Sequence, residues 1–95
     1  MRYFRRPWDE LRGDEHDAWG TSVWFLEIDD EGWIRRQVQV YDTGPTLTYD
    51  DTAPHDAYGE LGDQQVDIDD DGYTPFIIDA ATFDAAWRDA RPLNR

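Results

Sequence analysis

The stretch Ser22-Val23-Trp24-Phe25-Leu26-Glu27-Ile28-Asp29-Asp30-Glu31-Gly32-Trp33-Ile34-Arg35-Arg36-Gln37-Val38-Gln39-Val40-Tyr41 decides how this chain folds. Successive side chains of a strand point to opposite faces of a sheet. Trp24, Leu26 and Ile28 therefore share one face, and Val23, Phe25 and Glu27 share the other. With both faces partly apolar, Ser22 to Ile28 reads as a central strand. Asp29-Asp30-Glu31-Gly32 is a turn, and Trp33 to Tyr41 returns as a strand. On strict alternation Ile34, Val38 and Val40 lie on one face with Arg36 among them. Trp33, Arg35, Gln37, Gln39 and Tyr41 lie on the other. Asp42-Thr43-Gly44-Pro45 makes a second turn before a short strand, Thr46 to Tyr49. Consecutive strands joined by tight turns form an antiparallel meander.

Working outward, Arg2 to Trp8 is aromatic and extended, with Pro7 marking an edge or a strand end. Residues 9–22 are polar and charged, long enough to be a working surface instead of a simple connector. Residues 50–72 are rich in Asp and Gly and mostly irregular, with an extended piece expected at Gln65–Ile68; Tyr73 to Ile78 is expected to be extended again. Asp79 is placed to cap a helix from Ala80 to about Ala90, with Phe83, Trp87 and Ala90 on one stripe. Pro92 ends it, and Arg88 and Arg91 suit its C-terminal dipole. The expectation is one α+β domain over 1–95: an antiparallel sheet of four to five strands with one C-terminal amphipathic helix packed on a face.

Composition narrows the function classes. The 95 residues carry 22 acidic and nine basic side chains, a net charge of −13, and every basic residue is Arg. Folding a chain of this size buries on the order of 65% of the unfolded surface, enough for one modest core. The charge opposes the phosphate contacts of a nucleic-acid binder and attraction to an anionic membrane. No Cys is present, which removes disulfides, thiolate metal sites and thiol catalysis. No apolar run reaches the ~18–20 residues of a membrane helix, and the basic start Met1 to Trp8 leads into Asp9-Glu10-Leu11-Arg12 without an apolar signal segment. A cytoplasmic setting is expected. A mean hydropathy of −0.87 leans toward disorder, but 15% aromatic residues supply the material of a core.

Among chemical motifs, Asp67-Ile68-Asp69-Asp70-Asp71-Gly72 is the sharpest. Alternate acidic oxygens before a glycine turn suit calcium, with Asp67, Asp69 and Asp71 as ligands. The twelfth position is Ile78, where an EF-hand needs a bidentate Glu, so a solvated acidic turn is the plainer reading. Glu27 to Trp33 and Asp67 to Tyr73 match in residue type at every position, as two similar acidic turns would. His16 and His55 lie in polar loops without zinc-ligand spacing. Ser22, the only Ser, has no nucleophile-elbow context. A carboxylate-dependent enzyme is a remote alternative, since among 22 acids any pair is uninformative. Arg5, Arg6, Arg35 and Arg36 fit cross-strand ion pairing better than an anion site.

The motifs resemble a family. Trp24-Phe25-Leu26-Glu27-Ile28-Asp29-Asp30-Glu31-Gly32 and Arg36-Gln37-Val38-Gln39-Val40-Tyr41 are similar to small bacterial, largely actinobacterial, proteins classed as a domain of unknown function. Leu47 to Asp50, Tyr58 to Gln64 and the Phe83-Asp84-Ala85-Ala86-Trp87 helix extend the likeness over nearly the whole chain. It implies a sheet plus C-terminal helix and no known catalytic residues. By analogy of class and composition, small acidic bacterial domains include immunity proteins that neutralise toxins.

The functional expectation is a non-enzymatic interaction domain that steers toward a basic protein partner. An immunity-like role and DNA mimicry are two forms of it. No cofactor is expected, apart from calcium at the 67–72 turn as an alternative. The expected surface comprises Asp14, Glu15, Asp17, Asp50 and Asp51, with Trp19, Trp33, Tyr41 and Tyr58 as exposed aromatic anchors.

Overall fold

Four strands of the meander are β1 (Arg2–Trp8), β2 (Ser22–Ile28), β3 (Ile34–Tyr41) and β4 (Thr46–Asp50). They are seen here in a computed structural model that describes residues 1–94. A two-strand hairpin follows, β5 (His55–Asp56) and β6 (Gly59–Glu60); then come β7 (Ile77–Ile78) and the helix α1 (Ala80–Asp89). The main sheet has the order β4-β3-β2-β1-β7, antiparallel throughout. The α+β architecture, a five-stranded antiparallel sheet with a C-terminal helix, is the one expected from alternation and capping.

Register sorts the side chains into two faces. Directly paired residues run across the sheet as Phe4–Leu26–Gln37–Tyr49, Arg6–Trp24–Gln39–Leu47 and Trp8–Ser22–Tyr41 on one face. Tyr3–Glu27–Arg36–Asp50 and Arg5–Phe25–Val38–Thr48 run across the other. A register shift between Glu27 and Ile28 pairs Ile28 with Ile34, leaving Arg35 as the extra residue of a bulge. Ile34 therefore packs with Phe4, Leu26 and Ile28, on the face opposite to Val38. Strict period-two alternation puts it on the wrong side because it assumes an uninterrupted ladder.

The helix covers the Tyr3–Glu27–Arg36 row. Asp79 caps it by accepting from the Thr82 amide at 2.8 Å, and Phe83 is fully buried 5.4 Å from the Tyr3 ring. Arg91 donates to the carbonyls of Asp89 and Ala90 beyond the last turn, where the dipole favours a cation.

The opposite face holds most of the core and is roofed by loops. Phe4, Leu26 and Ile28 meet Val66, Ile68 and Tyr73; Tyr41, Leu47 and Tyr49 meet Trp19, Tyr58 and Leu61. Fully burying each large apolar side chain is worth about 1.5–3 kcal/mol. Fully buried Gln37 holds this roof down, donating to the Glu60 carbonyl at 3.1 Å and accepting from the Gly62 amide at 3.0 Å. Three local expectations change here. Gln65–Ile68 forms no strand: Val66 and Ile68 pack on the core, and the Val66 amide makes a single backbone bond to the Gly32 carbonyl instead of a ladder. Pro75 turns Thr74–Phe76 into a 3-10 segment, so only Ile77–Ile78 is extended. The hairpin β5–β6 stands where irregular chain was expected, tied to the core by the Tyr49 hydroxyl, which donates to Asp56 at 2.9 Å. Residues 92–94 then run along β4, where the Asn94 side chain accepts from the Thr48 amide and donates to its carbonyl.

Candidate functional site

The expected interaction surface divides in two. Asp14, Glu15, Asp17, Trp19, Tyr41 and Tyr58 gather at the end of the sheet marked by Ser22 and Tyr41. Trp33, Asp50 and Asp51 lie at the opposite end, by the β2–β3 turn. Trp33 is exposed, whereas Tyr41 is buried and Trp19 and Tyr58 are half-buried. The reason is Arg12, a residue that sequence patterning leaves unremarked in a charged loop. Its guanidinium lies 5.2 Å from the Trp19 ring centre and 5.6 Å from that of Tyr41. It donates to the Tyr41 hydroxyl at 2.9 Å, to the Tyr58 carbonyl, and to Asp14 at 3.0 Å. His16 stacks on Trp19 at 4.2 Å and completes the cage. Trp19 and Tyr41, read as anchors for a partner, thus lie against a cation of their own chain.

Other arginines are used in the same way. Arg6 lies 4.6 Å from the Tyr73 ring centre and donates to the Asp71 carbonyl; Arg36 lies 4.8 Å from Phe83 while forking onto Glu27. Arg35 pairs with Asp51 at 2.6 Å. Cross-strand pairing, the plainer reading of the strand arginines, accounts for Arg35 and Arg36.

The acidic turn at 67–72 spends its carboxylates locally. Asp67 accepts from the amides of Asp69 and Asp70, Asp71 accepts from the Asp67 amide, and Asp69 accepts from the Thr74 hydroxyl. The similar turn at 29–32 lies beside it, joined by the Val66 amide donating to the Gly32 carbonyl at 2.8 Å. Among the described residues no three acidic or histidine side chains converge as a metal-holding group.

An open cleft of about 290 Å³ remains on the loop-roofed face. Trp8, Trp24, Tyr41 and Tyr58 form its aromatic walls, Ser22 and Gln39 its sheet side, and Glu10, Asp14 and Glu60 carry the acidic charge around it. The Trp24 indole donates to the Ser22 hydroxyl at 2.8 Å, and Trp8 is 43% exposed at its mouth. Among the described residues, Gln39 Oε1 is the one buried side-chain polar atom without a hydrogen-bond partner. Leaving such an acceptor unsatisfied costs about 1–3 kcal/mol. Trp8, Trp24, Gln39, Glu10 and Glu60 were absent from the expected surface. Alternation does place Trp24 and Gln39 on a face, but only the register brings them to Trp8.

Shifted ionisations follow the hydrogen bonds. The Asp14 carboxyl is held below its ordinary value chiefly by the His16 amide, against its slight burial, and also by Arg12. Burial pushes Asp56 upward, but donation from the Tyr58 amide, Asn94, Tyr49 and the Gly59 amide outweighs it and leaves the carboxyl lowered.

No helix among the described residues is long and apolar enough to cross a membrane. Compared with protein-family models, curated proteins and solved structures, the chain matches none.

Proposed function

We propose that this chain is a non-enzymatic interaction domain that binds a basic protein partner through the loop-roofed face of its sheet. The observation behind this reading is the open aromatic cleft with Glu10, Asp14 and Glu60 around it, on a molecule of net charge −13. Only Asp14 of these three is engaged by an arginine among the described residues. A like-signed surface speeds encounter with an opposite patch, and aromatic walls supply contact area once charges have met. At the cleft, the His16 amide and Arg12 hold the Asp14 carboxyl below its ordinary value, which keeps its negative charge available to a cation. Neutralising a basic toxin, as immunity proteins do, is one setting such binding would serve.

The test is calorimetric titration of basic proteins captured on the immobilised chain, repeated at low and high ionic strength. Saturable binding that weakens with salt and is lost in a Glu10→Gln/Glu60→Gln variant supports the reading. Failure to retain any basic protein, or affinity indifferent to both salt and the double substitution, overturns it. Displacement of the bound protein by duplex DNA would identify the partner as a DNA binder and the acidic face as its mimic.

A further inference from the structure

Gln37 and Gln39 are neighbours on one face of β3, and both are buried. They differ in one respect. The Gln37 amide is satisfied on both sides, donating to Glu60 and accepting from Gly62. Gln39, only 4% exposed, lines the Trp8–Trp24 cleft with its Oε1 unpartnered. A structural glutamine on this face looks like Gln37. An acceptor left without a partner beside a cleft calls for a donor from outside.

The surroundings define that donor. The walls are aromatic: Trp8 and Trp24 lie 6.1 Å apart between ring centres, Arg6 lies over the Trp8 ring at 5.9 Å, and Tyr41 and Tyr58 complete the lining. Glu10 and Glu60 at the cleft make no ion pair among the described residues. Arg12, which also lines the cleft, has its guanidinium committed to Asp14, Tyr41 and Tyr58. One acceptor, aromatic walls and excess negative charge together select a donor-only cation with a flat face, which among side chains is a guanidinium. The same protein encloses Arg6, Arg12 and Arg36 between aromatic rings, so the chemistry is already in use within it.

We propose that the Trp8–Trp24 cleft is a pocket for one arginine side chain of the partner, its guanidinium donating to Gln39 Oε1 and resting against the indole walls. This rests on the reading of the chain as a binder of basic proteins and names the element that the cleft recognises.

The probe is a blocked Gly-Arg-Gly peptide added to the full chain, with the Trp indole and Gln side-chain amide resonances followed by NMR. The citrulline and lysine counterparts serve as controls of equal or similar length. The arginine peptide is expected to shift the Gln39 amide and the Trp8 and Trp24 indole signals saturably. Citrulline is expected to bind at least tenfold more weakly, and lysine several-fold more weakly. In Gln39→Leu, whose apolar side chain leaves no acceptor unsatisfied, arginine affinity should fall at least fivefold with the melting temperature unchanged or raised. Equal binding of citrulline, or no localised shift with arginine (as when Gln39 merely holds a water), overturns the pocket. So does a Gln39→Leu variant with full affinity. If the peptide response is absent while salt-sensitive capture of basic proteins persists, the pocket fails and the interaction domain stands. The converse result leaves the pocket and removes the protein-binding role.

Discussion

Arg36 forks onto Glu27 across the β2–β3 ladder, Nε to Oε1 at 3.0 Å and Nη2 to Oε2 at 2.6 Å, beneath the rings of Phe83 and Trp87. Glu27 is buried and the Arg36 side chain is 27% exposed, so the carboxylate has given up most of its water and relies on this one partner. Arg36 also reaches Asp84 at 3.1 Å, which ties the helix to the sheet through the same guanidinium.

Breaking the pair from one side leaves a buried charge uncompensated. Glu27→Gln and Arg36→Met are each expected to lower stability by about 2–3 kcal/mol, below the ~3–5 kcal/mol of a fully buried pair because water still reaches Arg36. Replacing both partners with Leu and Met should recover part of that loss. Urea unfolding of the three variants measures it. Single-variant losses under ~1 kcal/mol would place the pair in the class of exposed surface bridges.

A second prediction concerns the junction of the two acidic turns. Gly32 has φ +93°, and a Cβ there would run into the Val66 carbonyl. Gly13 has a similar φ of +79° with open space around it. Gly13→Ala therefore reports the left-handed backbone cost alone, about 1–2 kcal/mol. Gly32→Ala adds the clash and forces the 65–68 segment off the core, so its melting temperature should fall clearly further. Equal losses at both positions would mean that Val66 yields without cost.

The strands were legible because each side chain of β2 and β3 answers to a face, and Asp79 and Pro92 mark the limits of the helix. The face of Ile34 was not legible, because one inserted residue at the Glu27/Ile28 bulge reverses everything beyond it on that strand. The cleft was less legible still. Trp8, Gln39 and Glu60 lie far apart in sequence and meet only through register and the fold of the loops. Tyr41 reads as an exposed anchor because nothing in a polar loop announces that Arg12 will close over it.

Arg12 gives a third prediction. Its planar guanidinium serves Asp14, the Tyr41 hydroxyl and the Tyr58 carbonyl while lying against Trp19. An ammonium has neither the fork nor the flat face. Arg12→Lys should keep the charge yet cost about 1.5–3 kcal/mol, as expected for loss of hydrogen bonds to a charged group. It should also loosen Trp19, seen as a red-shifted, more quenchable indole emission. A lysine variant with parental stability and emission would show that charge alone holds the 12–19 loop.

The last prediction follows from the hydrogen bond that the buried Tyr49 hydroxyl donates to Asp56 at 2.9 Å. Burial first, and then the adjacent carboxylate, raise the Tyr49 pKa well above its ordinary value. A raised folded-state pKa contributes stability that is complete below the unfolded value, about 10, and is lost as pH climbs toward the folded one. Asp56 has the opposite sign: its folded pKa is depressed, so its contribution is complete above about 4 and drains away as pH falls through the folded value. The bond therefore works between those limits, and stability should decline at both extremes. Asp56→Asn should remove part of the acid-side slope, since an amide still accepts from Tyr49, Tyr58 and Gly59 but does not titrate. Tyr49→Phe should abolish a tyrosine that fails to ionise in ultraviolet titration until the protein unfolds. Both substitutions are to be followed by urea midpoints from pH 3 to 11. A parental acid slope in Asp56→Asn would assign acid sensitivity to other carboxylates, and normal alkaline titration of all the tyrosines in the parent would contradict the burial of the Tyr49 ring.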